Sequence, residues 1–406
     1  MVVEKEQTNQ IEVRMSILKQ VYFTSCERGV YPGMGFQTRA VSPGVTDTDL
    51  MILEQSSVYP LRISYEQTVD ACPQILKHIV LSDQTHALMK VSYLGEDYSG
   101  RSGNYIAHSL VSPLNTSKRL VFFSFWNDWK ITFSVEEGAQ PSVPLPIVSA
   151  NSLVEEANII RQVCEFVTSQ GKERLQDMIE SIFRYQMDGR ALVIRPSHDN
   201  ALDDRELKMW ITALHLSFPR CMESFLTFST LVDDFGDCLC INGAFGQSAF
   251  TFNETERTYQ FYQFDFHTSV FSTLDNCDVY SRQVAELFGD SELLLAFMSF
   301  VDQFDFSEPT RELNLVSKLF MHEERKYSLT SEDVSQIFDL FERNNSLRDN
   351  ALLDRVFTIL EDCLSGFEAG KQAEVFERLL NQYEVQQLKV VEHIRCAIEI
   401  DGENEE

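Results

Sequence analysis

A polar stretch, Asp97-Tyr98-Ser99-Gly100-Arg101-Ser102-Gly103-Asn104, lies between two apolar runs and leads into Tyr105-Ile106-Ala107-His108-Ser109. Gly100 and Gly103 permit positive φ and close backbone approach, so several N–H groups, with Arg101 beside them, can converge on one anion or carbonyl. The competing reading is a solvated hairpin loop, because Asp and Asn side chains also satisfy turn backbone and Asp97 and Asn104 sit where they would do so. Metal chemistry has weaker signals. Cys238-Leu239-Cys240 has one intervening residue where zinc knuckles need two to four. His322-Glu323-Glu324-Arg325 lacks the second histidine of a metalloprotease helix, and Asp203-Asp204 and Asp233-Asp234 read as caps and turns. No metal site and no cofactor are expected.

Elements that would hold the polar stretch are legible on both sides of it. Ala87 to Leu94 and Tyr105 to Val111 read as strands by β-branched and aromatic content, and residues 15 to 25 read as the first strand of the chain. Pro32, Gly33 and Gly35 force a turn before Phe36 resumes extended structure. Thr46-Asp47-Thr48-Asp49 offers a helix start ahead of Leu50 to Leu53. Leu120 to Trp126 is a further strand candidate, and Pro141, Pro144 and Pro146 mark residues 138 to 146 as a linker. Beyond it, 152 to 169 and 172 to 187 show helical spacing and meet at Gly171. Strands are expected at 191–195, 225–230, 238–242 and 259–264, with a helix over 205–218 between the first two. From Ser281 the pattern is nearly all helical: 282–288, 292–303, 312–322, 332–341, 348–364 and 373–400. The last of these carries an apolar face suited to packing on its neighbours or on another chain.

These elements predict an α+β protein: two mixed α/β units, 1–140 and 141–280, then a helical region, 281–400, and a disordered acidic tail, 401–406.

Read together, Gln20-Val21-Tyr22-Phe23-Thr24-Ser25, Gly35-Phe36-Gln37, Ala40-Val41-Ser42-Pro43-Gly44 and the Asp97 to His108 stretch resemble the amino-terminal domain of the bacterial GTPase-associated protein family. Trp210 to Leu214 and Leu226 to Thr230 resemble the opening of that family's middle domain, so the resemblance spans roughly residues 15 to 240. It implies a component encoded beside a GTPase in a bacterial defence or conflict system, acting as an adaptor, and no activity of its own. Tyr22, Ser25, Arg101, Asn104 and His108 are then the expected binding residues for the partner GTPase or a triggering ligand.

Chemistry on those motifs has two forms to test. No glycine-rich stretch is followed by the Gly-Lys-Ser/Thr that cradles nucleotide phosphates, so a partner must hydrolyse the nucleotide, with Arg101 available to neutralise charge in trans. Cys26 could serve as a thiolate activated by His108, with Asp97 or Asn104 orienting the ring, which would make a hydrolase-like enzyme. A packed cysteine and a satisfied histidine is the alternative.

The 406 residues are 44% hydrophobic and include 30 Phe, enough for ordinary cores in two or three domains. Of the net charge of −28, residues 1–130 hold 12 Lys+Arg against 13 Asp+Glu, and the remainder holds 22 against 49. An acidic surface repels phosphate backbones, so no nucleic-acid partner is expected. Nine scattered cysteines, a polar Met1–Gln10 and no long apolar run point to a reducing, cytoplasmic setting without secretion or membrane contact. A third reading is a scaffold whose acidic helical part self-associates.

Overall fold

The computed structural model describes residues 17–340 apart from 61–67, 83–84, 115–118, 151–153, 233–238, 246–259, 276, 305, 324–328, 331, 335 and 338–339. Within Met1–Asp275, the first of two compact units, apolar and β-branched runs form β1 (Ile17–Cys26), β2 (Gly35–Val41), β3 (Ile75–Ser82), β4 (Thr85–Glu96), β5 (Ser102–Pro113) and the short β6 (Val148–Ser149). Later come β7 (Ala191–Arg195), β8 (Phe228–Ser229), β9 (Ile241–Gly243), β10 (Phe261–Asp265) and β11 (Val270–Phe271). All eleven join one sheet in the order β11-β10-β7-β9-β8-β3-β4-β5-β1-β2, with β6 paired to β1. The chain is α+β as expected.

The sheet has two characters. From β3 to β2 every neighbouring pair is antiparallel, whereas β8, β9, β7 and β10 are parallel neighbours. The halves meet where β3 pairs antiparallel with β8, Lys77 opposite Ser229 and His78 opposite Phe228. Thr230 binds Leu76 twice there, its N–H donating to the Leu76 carbonyl at 2.8 Å and its hydroxyl accepting from the Leu76 N–H at 2.9 Å. The sheet therefore runs unbroken across residues 138–146, and that proline-bearing segment folds back onto the first strands. Leu145 N–H reaches the Val41 carbonyl, and the Pro146 carbonyl accepts from Gln20 and Ser42.

Alternation along the strands sorts side chains to two faces. Opposite pairs Tyr22 with His108, Lys90 with His108, and His78 with Leu88 place Gln20, Tyr22, His78, His86, Lys90 and His108 on one face. The other face carries Phe23, Tyr93 and Tyr105, which meet Phe36 and Tyr59 in an aromatic cluster. Helix α1 (Asp47–Ser56) covers that face, burying Leu50 and Leu53, and starts at Thr46, whose hydroxyl accepts from the Asp49 N–H at 3.1 Å.

Leu120–Phe125, expected as a strand, is a 3₁₀ helix with Leu120 through Ser124 buried. A continuous apolar run carries no period, so a fully enclosed helical turn reads like a buried strand. The stretch 225–230 yields only the two-residue β8, since Phe225 ends a second 3₁₀ turn, Arg220–Phe225. The remaining helices of this unit are the short α2 (Val135–Ala139), α3 (Glu156–Gln170), α4 (Lys172–Asp188) and α5 (Arg205–Leu216). Gly171, at φ 109°, makes the turn between α3 and α4.

Gly243 of β9 is buried where α5 crosses the sheet. A Cβ there would meet Leu207 Cδ2 and the Thr230 carbonyl oxygen. Because one obstacle is backbone, Gly243→Ala is expected to lower stability by about 2 kcal/mol through overpacking, read as a shifted denaturant midpoint; an unchanged midpoint would show that the strand can give way.

In the second unit, Asn276–Glu406, the described elements are helical: α6 (Val279–Leu287), α7 (Ser291–Val301) and α8 (Pro309–Glu323). Their apolar faces bring Tyr280, Phe297, Phe300 and Phe320 into one ring cluster. Asp290 caps α7 by accepting from the N–H groups of Glu292 and Leu293. The helices expected at 348–364 and 373–400 and the acidic tail lie outside the described residues.

Candidate functional site

The polar stretch is the turn of the β4–β5 hairpin, and its glycines adopt positive φ, 77° at Gly100 and 104° at Gly103. Asp97 organises it. One carboxylate oxygen accepts from the Ser99 N–H (2.8 Å), the Ser99 hydroxyl (2.7 Å) and the Arg101 N–H (3.1 Å). The other accepts from the Ser25 hydroxyl (3.1 Å) and the Arg101 guanidinium (3.0 Å). Burial works against the charged form, yet the donors from Ser99, Arg101 and Ser25 outweigh it and hold the carboxyl far below the ordinary Asp range. Asn104 is buried and turned the same way, its Oδ1 accepting from the Thr24 hydroxyl and the Ser25 N–H. Asp97, Asn104 and Ser25 thus converge, as the motif spacing suggests, but on one another. Arg101 alone of the group projects outward, its side chain 66% exposed while paired with Asp97.

His108 lies further along β5, 1% exposed. Its Nδ1 accepts the Lys130 N–H at 2.9 Å, so its Nε2 carries the proton and donates to Gln20 Oε1 at 3.1 Å. Tyr22, Trp126 and Trp129 enclose the ring, at centroid distances of 4.7, 5.7 and 5.0 Å. Burial, then the charges of Lys130 and Lys90, lower its pKa to about 3. Tyr22 is half-buried, with its phenol pKa raised by burial and by Glu137.

Cys26 and His108 are not a dyad. His108 pairs with Tyr22, and four residues of strand separate Tyr22 from Cys26, about 13 Å at the usual rise. Cys26 is buried, its thiol donates to the Arg28 carbonyl at 3.4 Å, and burial pushes its pKa up despite Arg39. A raised thiol is the reverse of an activated nucleophile.

A second polar cluster shares His108's face and was not legible in the sequence. His78 of β3 and His86 of β4 are bonded at 2.9 Å, Nε2 to Nδ1, and His78 Nδ1 lies 3.0 Å from the Leu226 carbonyl. Glu223, on the 3₁₀ turn after α5, accepts the Leu120 N–H. One ligand-type atom from each of His78, His86 and Glu223 lies within 4.8 Å of the other two. His215, in the last turn of α5, stands edge-on to His78 at 5.5 Å, with neither ring nitrogen in a hydrogen bond of ordinary geometry and the Leu226 backbone acting on the ring. All four residues are buried. Burial lowers His78 to about 4 and His86 to about 2, the latter also through the neighbouring ring.

An antiparallel five-stranded half joined to a parallel α/β half, with internally bonded polar residues at its motif turn, defines an α+β protein with no nucleophile–base pair at that motif. Residues 17–145 match the family of the GTPase-associated protein 1 N-terminal domain, type 2. The resemblance read from the Tyr22, Phe36 and Asp97 motifs holds over these residues. No curated protein and no solved structure matches the chain. Among the described residues no helix is long and apolar enough to cross a membrane.

Proposed function

We propose that this protein is a non-enzymatic adaptor that recognises a partner GTPase, encoded nearby, in a bacterial defence or conflict system, with residues 141–280 acting as the family's middle domain. The match of residues 17–145 to that domain family is the observation that carries this reading. Its support in the geometry is where surface is left over. Asp97, Asn104 and His108 are engaged internally, while the 27–34 loop exposes Met34 (71%) and Tyr31 (43%), and the facing segment exposes Val143 (67%). Between them opens a cavity of about 630 Å³ lined by Arg28, Val30, Tyr31, Pro32, Pro141 and Pro144. Arg39 fixes its far wall, one guanidinium nitrogen holding the carbonyls of Glu137, Gln140 and Pro141. Apolar groups around a preformed hollow are how a partner's side chain is anchored.

The test is affinity for the neighbouring GTPase by calorimetry. Met34→Asp combined with Val143→Asp is expected to weaken binding at least tenfold, about 1.4 kcal/mol, without moving the melting temperature, and Arg101→Ala to leave it unchanged. Equal affinity in the double variant would refute this surface, and a loss confined to Arg101→Ala would return the site to the hairpin turn.

A further inference from the structure

We propose that His78, His86 and Glu223, with His215 as the fourth ligand, hold a structural divalent metal ion of zinc's class at the seam where β3 meets β8. Donor type is the first argument: three imidazoles and a carboxylate are a nitrogen-rich, borderline-soft set that suits zinc over magnesium or calcium. Proton placement is the second. His78 Nδ1 must carry a proton to donate to the Leu226 carbonyl, which leaves the Nε2 lone pair pointing into the cluster. That is the arrangement of a metal-binding histidine whose other nitrogen is held by a backbone carbonyl. The His78 lone pair then requires the proton of His86 on Nδ1, and His86 Nε2 is left without a hydrogen-bond partner. Metal on His86 Nδ1 moves that proton to Nε2, on the side of the Pro113 carbonyl that acts on this ring, so no proton need leave the imidazole.

His215 is the third argument. The residue is 0% exposed and neither ring nitrogen makes a hydrogen bond of ordinary geometry, although the Leu226 backbone acts on the ring, a weakly satisfied state that buried polar groups rarely keep. It lies against the rings of His78 and Phe228, beside the three ligand atoms already gathered by His78, His86 and Glu223, and its ring would have to turn to join them. Glu223 supplies the neutralising charge: Arg119, which donates to the His215 carbonyl at 2.6 Å, would otherwise oppose a cation. Its carboxylate can keep the Leu120 N–H on one lone pair and still ligate, since two oxygens offer about four. Around an ion with bonds near 2.1 Å the ligand atoms stand about 3.4 Å apart, so the His78–His86 pair, now at 2.9 Å, opens by about 0.5 Å while the wider separations, up to 4.8 Å, close. Such an ion would tie β3 and β4, inside the family domain, to α5 and its following turn outside it.

The full chain, purified without a histidine tag, is analysed for metal by mass spectrometry, then stripped with chelator and titrated with cobalt(II). About one equivalent of zinc, the d–d absorption of tetrahedral cobalt, and a melting temperature lowered by at least about 5 °C on stripping are expected. Glu223→Gln, which keeps the acceptor for Leu120, should bind cobalt at least about tenfold more weakly; His215→Phe, retaining the ring packing, serves if that variant does not fold. Metal below about 0.1 equivalent with no cobalt band overturns the proposal and leaves a neutral histidine network. Cobalt binding undiminished in the folded variant places the ion elsewhere and overturns it equally.

Discussion

Acidification from pH 6.5 towards 3 is expected to remove on the order of 5 kcal/mol of stability through His108 alone, at about 1.4 kcal/mol per pH unit. The unfolded imidazole takes up its proton near 6.5, whereas the folded one does so near 3. The folded pKa is the lower one, so this contribution is complete above 6.5 and declines as pH falls through the window between the two values. The cause is geometric. Protonation would put a second N–H on the ring against the Lys130 N–H, which already donates to Nδ1, inside a cage of Tyr22, Trp126 and Trp129. Two half-buried lysines, Lys90 across the strand and Lys130, add repulsion. The measurement is denaturant unfolding at pH 7, 6, 5 and 4.5 for the wild type and His108→Phe, each referred to its own value at pH 7. The substitution should flatten the pH slope by about one proton's worth, even though it loses the Gln20 and Lys130 bonds and starts from lower stability. Identical slopes would mean that the ring is protonated in the fold or reached by water, and the enclosure described here would be wrong. Comparing slopes separates His108 from the other buried imidazoles, which are common to both proteins.

The motifs identified which residues converge, but not what they converge on. Ser25, Asp97 and Asn104 are brought together as their positions at the ends of β1, β4 and β5 imply, and strand content alone placed those elements within two or three residues. A polar triad facing a ligand and one facing itself have the same sequence, however; the difference lies in Gly95 and Gly100, whose positive φ curls the hairpin so that the Asp97 carboxylate meets its own turn. The wrapped apolar run at Leu120–Phe125 hid its helical form for want of a period, and with it the tryptophan cover of His108. His78 and His86 sit on adjacent strands eight residues apart, a spacing common to many hairpins. Their meeting with His215 and Glu223 depends on the β3–β8 pairing between distant parts of the chain, which no local pattern announces. The helices α3 and α4 were legible for the opposite reason: Ile159, Ile160, Val163, Leu175, Ile179 and Ile182 keep a strict helical spacing and all are buried.

Asp97→Ala is expected to lower stability by about 3 kcal/mol, while Arg101→Ala changes it by no more than about 0.5 kcal/mol. The two residues form one ion pair at 3.0 Å, so the asymmetry lies in what else each holds. Removing the Arg101 side chain deletes an exposed guanidinium and leaves Asp97 with four other hydrogen bonds. Removing the carboxylate deprives the Ser99 and Arg101 backbone N–H groups and the Ser99 and buried Ser25 hydroxyls of their acceptor at once, and leaves the hairpin turn held by two backbone bonds between Asp97 and Gly100 or Arg101 and by the exposed Arg101 Nε–H to the Ser99 hydroxyl. Asp97→Asn should fall between, since an amide oxygen can still accept from the two N–H groups while its NH₂ faces the Ser25 hydroxyl and the guanidinium. Chemical unfolding of the three variants gives the order directly. Equal losses for Asp97→Ala and Arg101→Ala would make the ion pair itself the stabilising unit. A negligible loss for Asp97→Ala would show that this turn is not built around its carboxylate, and would release Asp97, Ser25 and Asn104 for recognition of a ligand after all.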